Sequence, residues 1–269
     1  ALLAALVALP VLLMVLGAWA AWRNAWTAAE AEVAQAAEAV AEYGLRVLGA
    51  HAAAAGRVDA LLRGLPDEAV HAREAELHRE LRALVAEMPQ AEAAYVIDRD
   101  GAVLLSANIF PVPRAAWPAA DRDFFLDLRA DGAPAAHVSR VHTGRLDDSV
   151  FFAVSRRRTG TGNADLPPGA FEGVVNLSVY PNRLAEGLRR IMPRESDVAV
   201  LIRADGEVLA RSTGLGAPVR LPPAGPFAQG IAGGAERAAF MGTSVVDGVR
   251  RLYAVRRIEG WPVYAQAAR

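Results

Sequence analysis

The sequence predicts an α+β chain: an apolar N-terminal helix, a long amphipathic helix, and two tandem modules built on antiparallel sheets. Three observations carry this. A proline-free stretch with heptad spacing fills residues 24–62, short apolar runs punctuated by glycine and proline come after Pro89, and the pattern of those runs occurs twice. At 269 residues, 53% of them hydrophobic, the chain can fill two ordinary domain cores.

Ala1 to Trp22 carries no charged or strongly polar side chain. As a helix at about 1.5 Å per residue it spans roughly 33 Å, enough to cross a hydrocarbon core. Trp19 and Trp22 fall where an interfacial belt lies, and Pro10 is tolerable in a membrane helix. The competing reading is a secretory signal peptide, with Ala18-Trp19-Ala20 as a small-residue cleavage site. Either reading exports the chain beyond Trp22, and a domain without cysteine suits export.

From Asn24 to Leu62 a single helix is expected, with Trp26, Val33, Val40, Val47, Ala54 and Leu61 recurring every seventh residue. Such a stripe either pairs with a partner helix, giving a homodimer, or packs on the chain's own domain. Gly64, Leu65 and Pro66 break the helix, and a second amphipathic helix is expected over 67–88.

The internal repeat is the most informative feature. Tyr95-Val96-Ile97-Asp98-Arg99-Asp100-Gly101 is echoed by Val200-Leu201-Ile202-Arg203-Ala204-Asp205-Gly206, each an Asp-Gly turn between β-rich runs. A second echo aligns Phe152-Ala153-Val154-Ser155-Arg156-Arg157 with Tyr253-Ala254-Val255-Arg256-Arg257-Ile258. A short helix is expected over 121–130, strands over 136–141, 149–157 and 173–180, and a helix from Pro181 to Met192 as the hinge between modules. The resulting boundaries are a transmembrane helix (1–22), a helical stalk (23–88), a membrane-distal module with the linking helix (89–195) and a membrane-proximal module (196–269).

Asp121-Arg122-Asp123-Phe124-Phe125, the Ser155-Arg156-Arg157 strand end and Phe171-Glu172-Gly173-Val174-Val175 resemble the PAS-like modules of double Cache (tandem PDC) sensor regions. These regions belong to bacterial histidine kinases and diguanylate cyclases, and more distantly to chemoreceptors. The resemblance covers the chain after Trp22 and implies a periplasmic sensor in the bacterial inner membrane. It further implies that the output domain, kinase or cyclase, lies beyond Arg269. An exported binding protein without signalling output is the alternative.

In the family's amino-acid-binding subset, an aromatic, four residues, an arginine, one residue and two aromatics line the distal pocket. Trp117, Arg122, Phe124 and Phe125 reproduce that spacing. A guanidinium holds a carboxylate bidentately while aromatic walls exclude water. Where the subset places an aspartate to hold the ligand ammonium, this sequence has Ser178, which favours a small carboxylate or another neutral-to-anionic ligand over an ordinary amino acid. Tyr95, Phe152 and Ser155 are further candidates from the first-module strands, although alternation alone leaves open which face each presents. The other role open to Arg122 is a salt bridge with Asp121 or Asp123.

Other functions find little support. A net charge of −1, with charges spread throughout, offers no basic stripe for nucleic acid. No Gly-x-Ser-x-Gly elbow occurs, so no catalytic residue is assigned to this chain. His71 and His78 lie seven apart on an expected solvated helix face, and His137 and His142 alternate to opposite strand faces, so neither pair suggests a metal. No cofactor is expected. Arg156, Arg157 and Arg158 read as a strand end running into a solvent-facing loop.

Overall fold

The computed structural model describes residues 2–88, 91–113, 118–145, 148–167 and 169–269, with the side chains of 2–8 and of residue 92 outside the description. Helix α1 (Leu2–Leu61) runs unbroken through Pro10 and joins the apolar segment to the stalk. Among the described residues no helix is long and apolar enough to cross a membrane. The apolar run expected to do so begins within residues whose side chains are not described. Leu12, Leu13, Met14 and Val15 are each more than half exposed.

The expected second helix is two: α2 (Asp67–Ala72) and α3 (Glu74–Ala86), parted at Arg73. Arg73 leaves helical geometry and ties its guanidinium to Glu76. The α3 face carrying Leu77, Leu81 and Val85 is buried. His78 is not on a solvated face: its Nδ1 lies 2.7 Å from the Ser106 carbonyl, and its ring packs on Phe110.

The first sheet comprises β1 (Ala91–Ile97), β2 (Val103–Ser106), β3 (His137–Val138), β4 (His142–Thr143), β5 (Val150–Arg157) and β6 (Val174–Val179), with α4 (Asp123–Arg129) inserted after β2. Its order is β2-β1-β6-β5-β3, with β4 also paired to β5, and all pairs are antiparallel. Helix α5 (Pro181–Ile191) then leads to β7 (Val198–Arg203), β8 (Val208–Arg211), α6 (Pro226–Gly230), β9 (Arg237–Thr243), β10 (Arg250–Arg257) and β11 (Val263–Ala268). These strands form a second antiparallel sheet, β8-β7-β11-β10-β9. In each module the opening hairpin sits at one edge and the last strand in the middle. The Asp-Gly turns close these hairpins, and Gly101 and Gly206 take φ of 92° and 90°, a conformation that side-chain-bearing residues resist.

The register corrects the second echo by one residue. Asn176 lies between Tyr95 and Ser155 in the first sheet, and Gln266 lies between Val200 and Val255 in the second. Phe152 therefore corresponds to Leu252 and Phe151 to Arg251, whereas the echo paired Phe152 with Tyr253. A one-residue slip exchanges the two faces of a strand, so the slip decides where each aromatic points.

Both sheets pack their back faces against α1. Val33, Ala37, Val40 and Leu48 are buried with the second sheet and with Phe152, Val154 and Val179 of the first. Further along the helix, Ala54, Ala55, Val58 and Leu62 pack with α3, Val96, Leu105 and Leu177. The seam expected to receive a partner helix is thus taken by the chain itself: Val33, Val40, Val47 and Ala54 are at most 5% exposed, and only Trp26 and Leu61 remain open. A partner helix on the part of that stripe from Val33 to Ala54 would have to displace the chain's own sheets. The arginine run also departs from the expected solvent-facing loop. Arg158 is fully buried with Nη1 2.9 Å from Asp67 Oδ1, and Thr159 donates from N and Oγ1 to Asp59 of α1, both at 2.8 Å.

Leu48 is fully buried between α1 and the sheets, while Leu45 is 41% exposed. Leu48→Ala is expected to cost about 3 kcal/mol through the cavity it leaves. Leu45→Ala should stay within about 0.5 kcal/mol of the parent. Denaturant midpoints of the two variants check this.

Candidate ligand-binding site

The front face of the first sheet, away from α1, carries a cavity of about 450 Å³, within the range that holds small ligands. Its floor comes from alternate residues of three adjacent strands: Tyr95 on β1, Asn176 and Ser178 on β6, and Phe151 on β5. Helix α4 and the segment before it cover the cavity with Phe124, Ala119 and Arg122. The turn after β4 contributes Gly144 and Arg145, and Tyr180 closes the far end.

The expected residues divide accordingly. Tyr95, Arg122, Phe124 and Ser178 line this cavity. Trp117 lies outside the described residues. Phe125 is fully buried on the other side of α4, edge-on to Phe171 at 5.2 Å, and serves as core. Phe152 points to the back of the sheet and packs in the cluster around α1. Ser155 shares the front-face parity and lies beneath the floor, where its Oγ accepts from Asn176 Nδ2 at 3.2 Å. Asn176 Oδ1 accepts in turn from Ser178 Oγ at 3.4 Å. Phe151, Asn176, Tyr180 and Arg145 carry no mark in the sequence that singles them out. The signal that finds Phe151 and Asn176 is the strand phase, which only the register supplies.

Arg122 does not form the salt bridges open to it. Among the described residues no carboxylate lies within ion-pair distance of its guanidinium: Asp121 pairs with Arg145, and Asp123 is engaged by His142 at 2.7 Å. Arg122 Nη1 instead lies 3.1 Å from His142 Nδ1, and Nη2 donates to the Thr143 carbonyl at 3.1 Å. Burial and the neighbouring charge of Arg145 lower its pKa, while Asp121 and Asp123 act the other way. The lining therefore presents two guanidiniums and, among the described residues, no carboxylate.

This arrangement fixes the proton on His142. An arginine nitrogen can only donate, so Nδ1 of His142 accepts from Arg122 and Nε2–H donates to Asp123 Oδ1. Asp123 Oδ2 accepts from the Arg140 N–H at 2.7 Å and lies 3.5 Å from Nη1 of Arg203, on β7 of the second module. Burial alone raises the Asp123 pKa, but the hydrogen bonds from His142 and Arg140 prevail and lower it from 3.8 to about 2. Asp123, Asp127 and His137 bring ligand atoms within 4.8 Å of one another, a spacing that could hold a metal ion. The charge of Arg203 beside Asp123 opposes a cation there.

No family model and no curated protein matches the sequence. Solved structures do match. The extracellular domain assigned to a histidine kinase, rpHK1S-Z16, superimposes with a TM-score of 0.73 at 21% identity, over 91% of this chain and 96% of that one. The sensor domain of the V. cholerae histidine kinase DctB gives 0.57 at 14%, over 90% and 97%. The sensory domain of the Campylobacter jejuni chemoreceptor Tlp3, with isoleucine bound, gives 0.58 at 11%, over 92% and 94%.

The Asp123 side chain is 16% exposed, and its depressed pKa is a statement about stability. The contribution is complete above the unfolded value of 3.8 and is lost as pH falls through about 2. Asp123→Asn is expected to cost about 2 kcal/mol at neutral pH and to flatten stability between about pH 4 and pH 2. Acid unfolding curves of parent and variant check this, and identical curves would contradict it.

The pockets, the paired sheets and the helical spine thus give this chain the fold of the extracellular sensor domains of histidine kinases and chemoreceptors.

Proposed function

We propose that this chain is the extracytoplasmic sensing region of a transmembrane receptor, and that its first module binds a small carboxylate through Arg122. The observation that carries this is the half-buried guanidinium that has no carboxylate partner among the described residues, aimed into a cavity walled by Tyr95, Phe124 and Phe151. In so apolar a setting a cation is costly until an anion joins it. Asn176 and Ser178 supply polar hydrogens at the floor. With serine at 178 and no acid in the described lining, a ligand ammonium finds no counter-charge. Amino acids, such as the isoleucine held by the Tlp3 domain, are accordingly the weaker candidates.

The exposed apolar run of α1, continuous with the spine on which both sheets rest, supports a membrane anchor leading into the sensor. Signal transfer is built into the contacts around the pocket. A carboxylate that engages Arg122 competes with His142 for the same guanidinium hydrogens. His142 holds Asp123, and Asp123 faces Arg203, which also donates to the Val138 carbonyl at 2.5 Å. Ligand binding in the first module thereby alters a contact made by the second, and the differential affinity for the two arrangements supplies the energy. An output domain on the far side of the membrane reads that change.

Thermal unfolding of the 269-residue chain against dicarboxylates, amino acids, diamines and sugars tests the reading, with Arg122→Ala alongside. A dicarboxylate at about a hundred times its Kd should raise the midpoint by about 5 °C in the parent and leave the variant unmoved. No shift with any dicarboxylate, or equal shifts in both proteins, would return Arg122 to a structural role.

A further inference from the structure

The second sheet has a cavity of its own on its front face, about 90 Å³, enclosed by the sheet, α6 and the turn between β9 and β10. The register makes it the counterpart of the first pocket. Gln266 stands where Asn176 stands, Arg211 faces Val200 as Ser106 faces Tyr95, and Arg251 takes the place of Phe151. Its apolar lining includes Val200, Ile202, Val208, Phe227 and Phe240.

Two guanidiniums border this apolar recess, and Arg211 and Arg251 are each only 8% exposed. Both converge on one carboxylate: Asp247 Oδ2 accepts from Arg211 Nη2 at 2.7 Å, and both Asp247 oxygens accept from Arg251 Nη1, at 2.9 and 3.0 Å. Among the described residues neither arginine has a second carboxylate within ion-pair distance. Two buried cations against one anion leave a positive charge in excess, an arrangement that a further anion relieves.

Asp247 is not rooted in the sheet. It sits in the turn over 244–249, where Val245, Val246 and Val249 are 56%, 47% and 46% exposed. Val245 and Val246 nevertheless border the cavity, so an apolar body placed there covers side chains that water now touches.

We propose that the second module holds a second ligand site, for a small monocarboxylate with a short apolar tail, and that Asp247 is the resident occupant of its anion subsite. The tail lies over Val200, Ile202 and Phe227. The carboxylate takes guanidinium hydrogens of Arg211 and Arg251 that Asp247 now holds. At about 30 Å³ per water the space corresponds to about three waters, which suits an apolar tail of about three carbons and no larger ring system. This site uses neither Arg122 nor any other residue of the first pocket, so it stands or falls independently of that reading.

Butyrate is the probe, titrated calorimetrically into the 269-residue chain carrying Arg122→Ala, so that the first pocket does not contribute. Butyrate is expected to bind, with intermolecular NOEs from its methyl group to the methyls of Val200, Val245 and Val246, and butylamine is expected not to bind. Asp247→Asn in the same background removes the competing charge and should tighten butyrate by about tenfold. Absence of butyrate binding, NOEs confined to the first module, or a folded Asp247→Asn chain with weaker binding would overturn the proposal. The NOEs are read with Asp247 intact, so they decide the matter even where the variant fails to fold.

Discussion

The buried face of α1 is the constraint on which the rest of the structure depends. One rigid helix supplies the back-face packing of both sheets, first through Val33, Val40 and Leu48 and then through Ala55, Val58 and Leu62. The approach is close because the face is built from small residues. At Gly44 a methyl group would come within 2.6 Å of Ile258 Cδ1 and 3.0 Å of Leu201 Cδ2. With the backs of the sheets fixed in this way, their front faces are left to form pockets. The strands are therefore covered on both sides, which is why β6 and β11 are buried along their whole length.

Given that frame, the chemistry of the first pocket is set by how charge is distributed around α4. Asp123 collects the hydrogen bonds of His142 and the Arg140 N–H and lies beside Arg203, while Asp121 is drawn outward to Arg145. Arg122, between two acids in sequence, has as its partners among the described residues an imidazole nitrogen and a carbonyl oxygen. None of the described carboxylates neutralises its charge. The same residues bring the pocket within two side chains of the second module, so on the proposed reading one set of contacts serves recognition and transmission. The second module solves the same problem differently. There the arginines lie on β8 and β10, and the chain itself lends them a carboxylate from a turn.

The elements were legible because each has a local cause. Heptad spacing without proline gives α1, the Asp-Gly turns give the two opening hairpins, and proline at its first position starts α5. Four residues that line the first cavity were also legible: Arg122, Phe124 and Ser178 through the resemblance to double Cache regions, and Tyr95 as a candidate from the first-module strands. The illegible part depends on strand phase and on long-range packing. Phe151 and Phe152 are adjacent and chemically alike, and only pairing with β6 decides that the first lines the cavity and the second the core. The α1 stripe is equally compatible with a partner helix or with the chain's own sheets, and the sequence of the helix alone does not distinguish them. Arg211, Asp247 and Arg251 are spread over 41 positions of sequence and two strands, and no local pattern marks their convergence.

The most direct test of the central claim, that Arg122, which has no carboxylate partner among the described residues, receives one from a ligand, is a crystal structure of the chain with a saturating small carboxylate. The account predicts density for the carboxylate against the Arg122 guanidinium, its body between Phe124 and Phe151, and the contact from Arg122 to His142 lengthened or lost. Density that leaves Arg122 on His142, with the ligand held elsewhere or by its uncharged end, would contradict it.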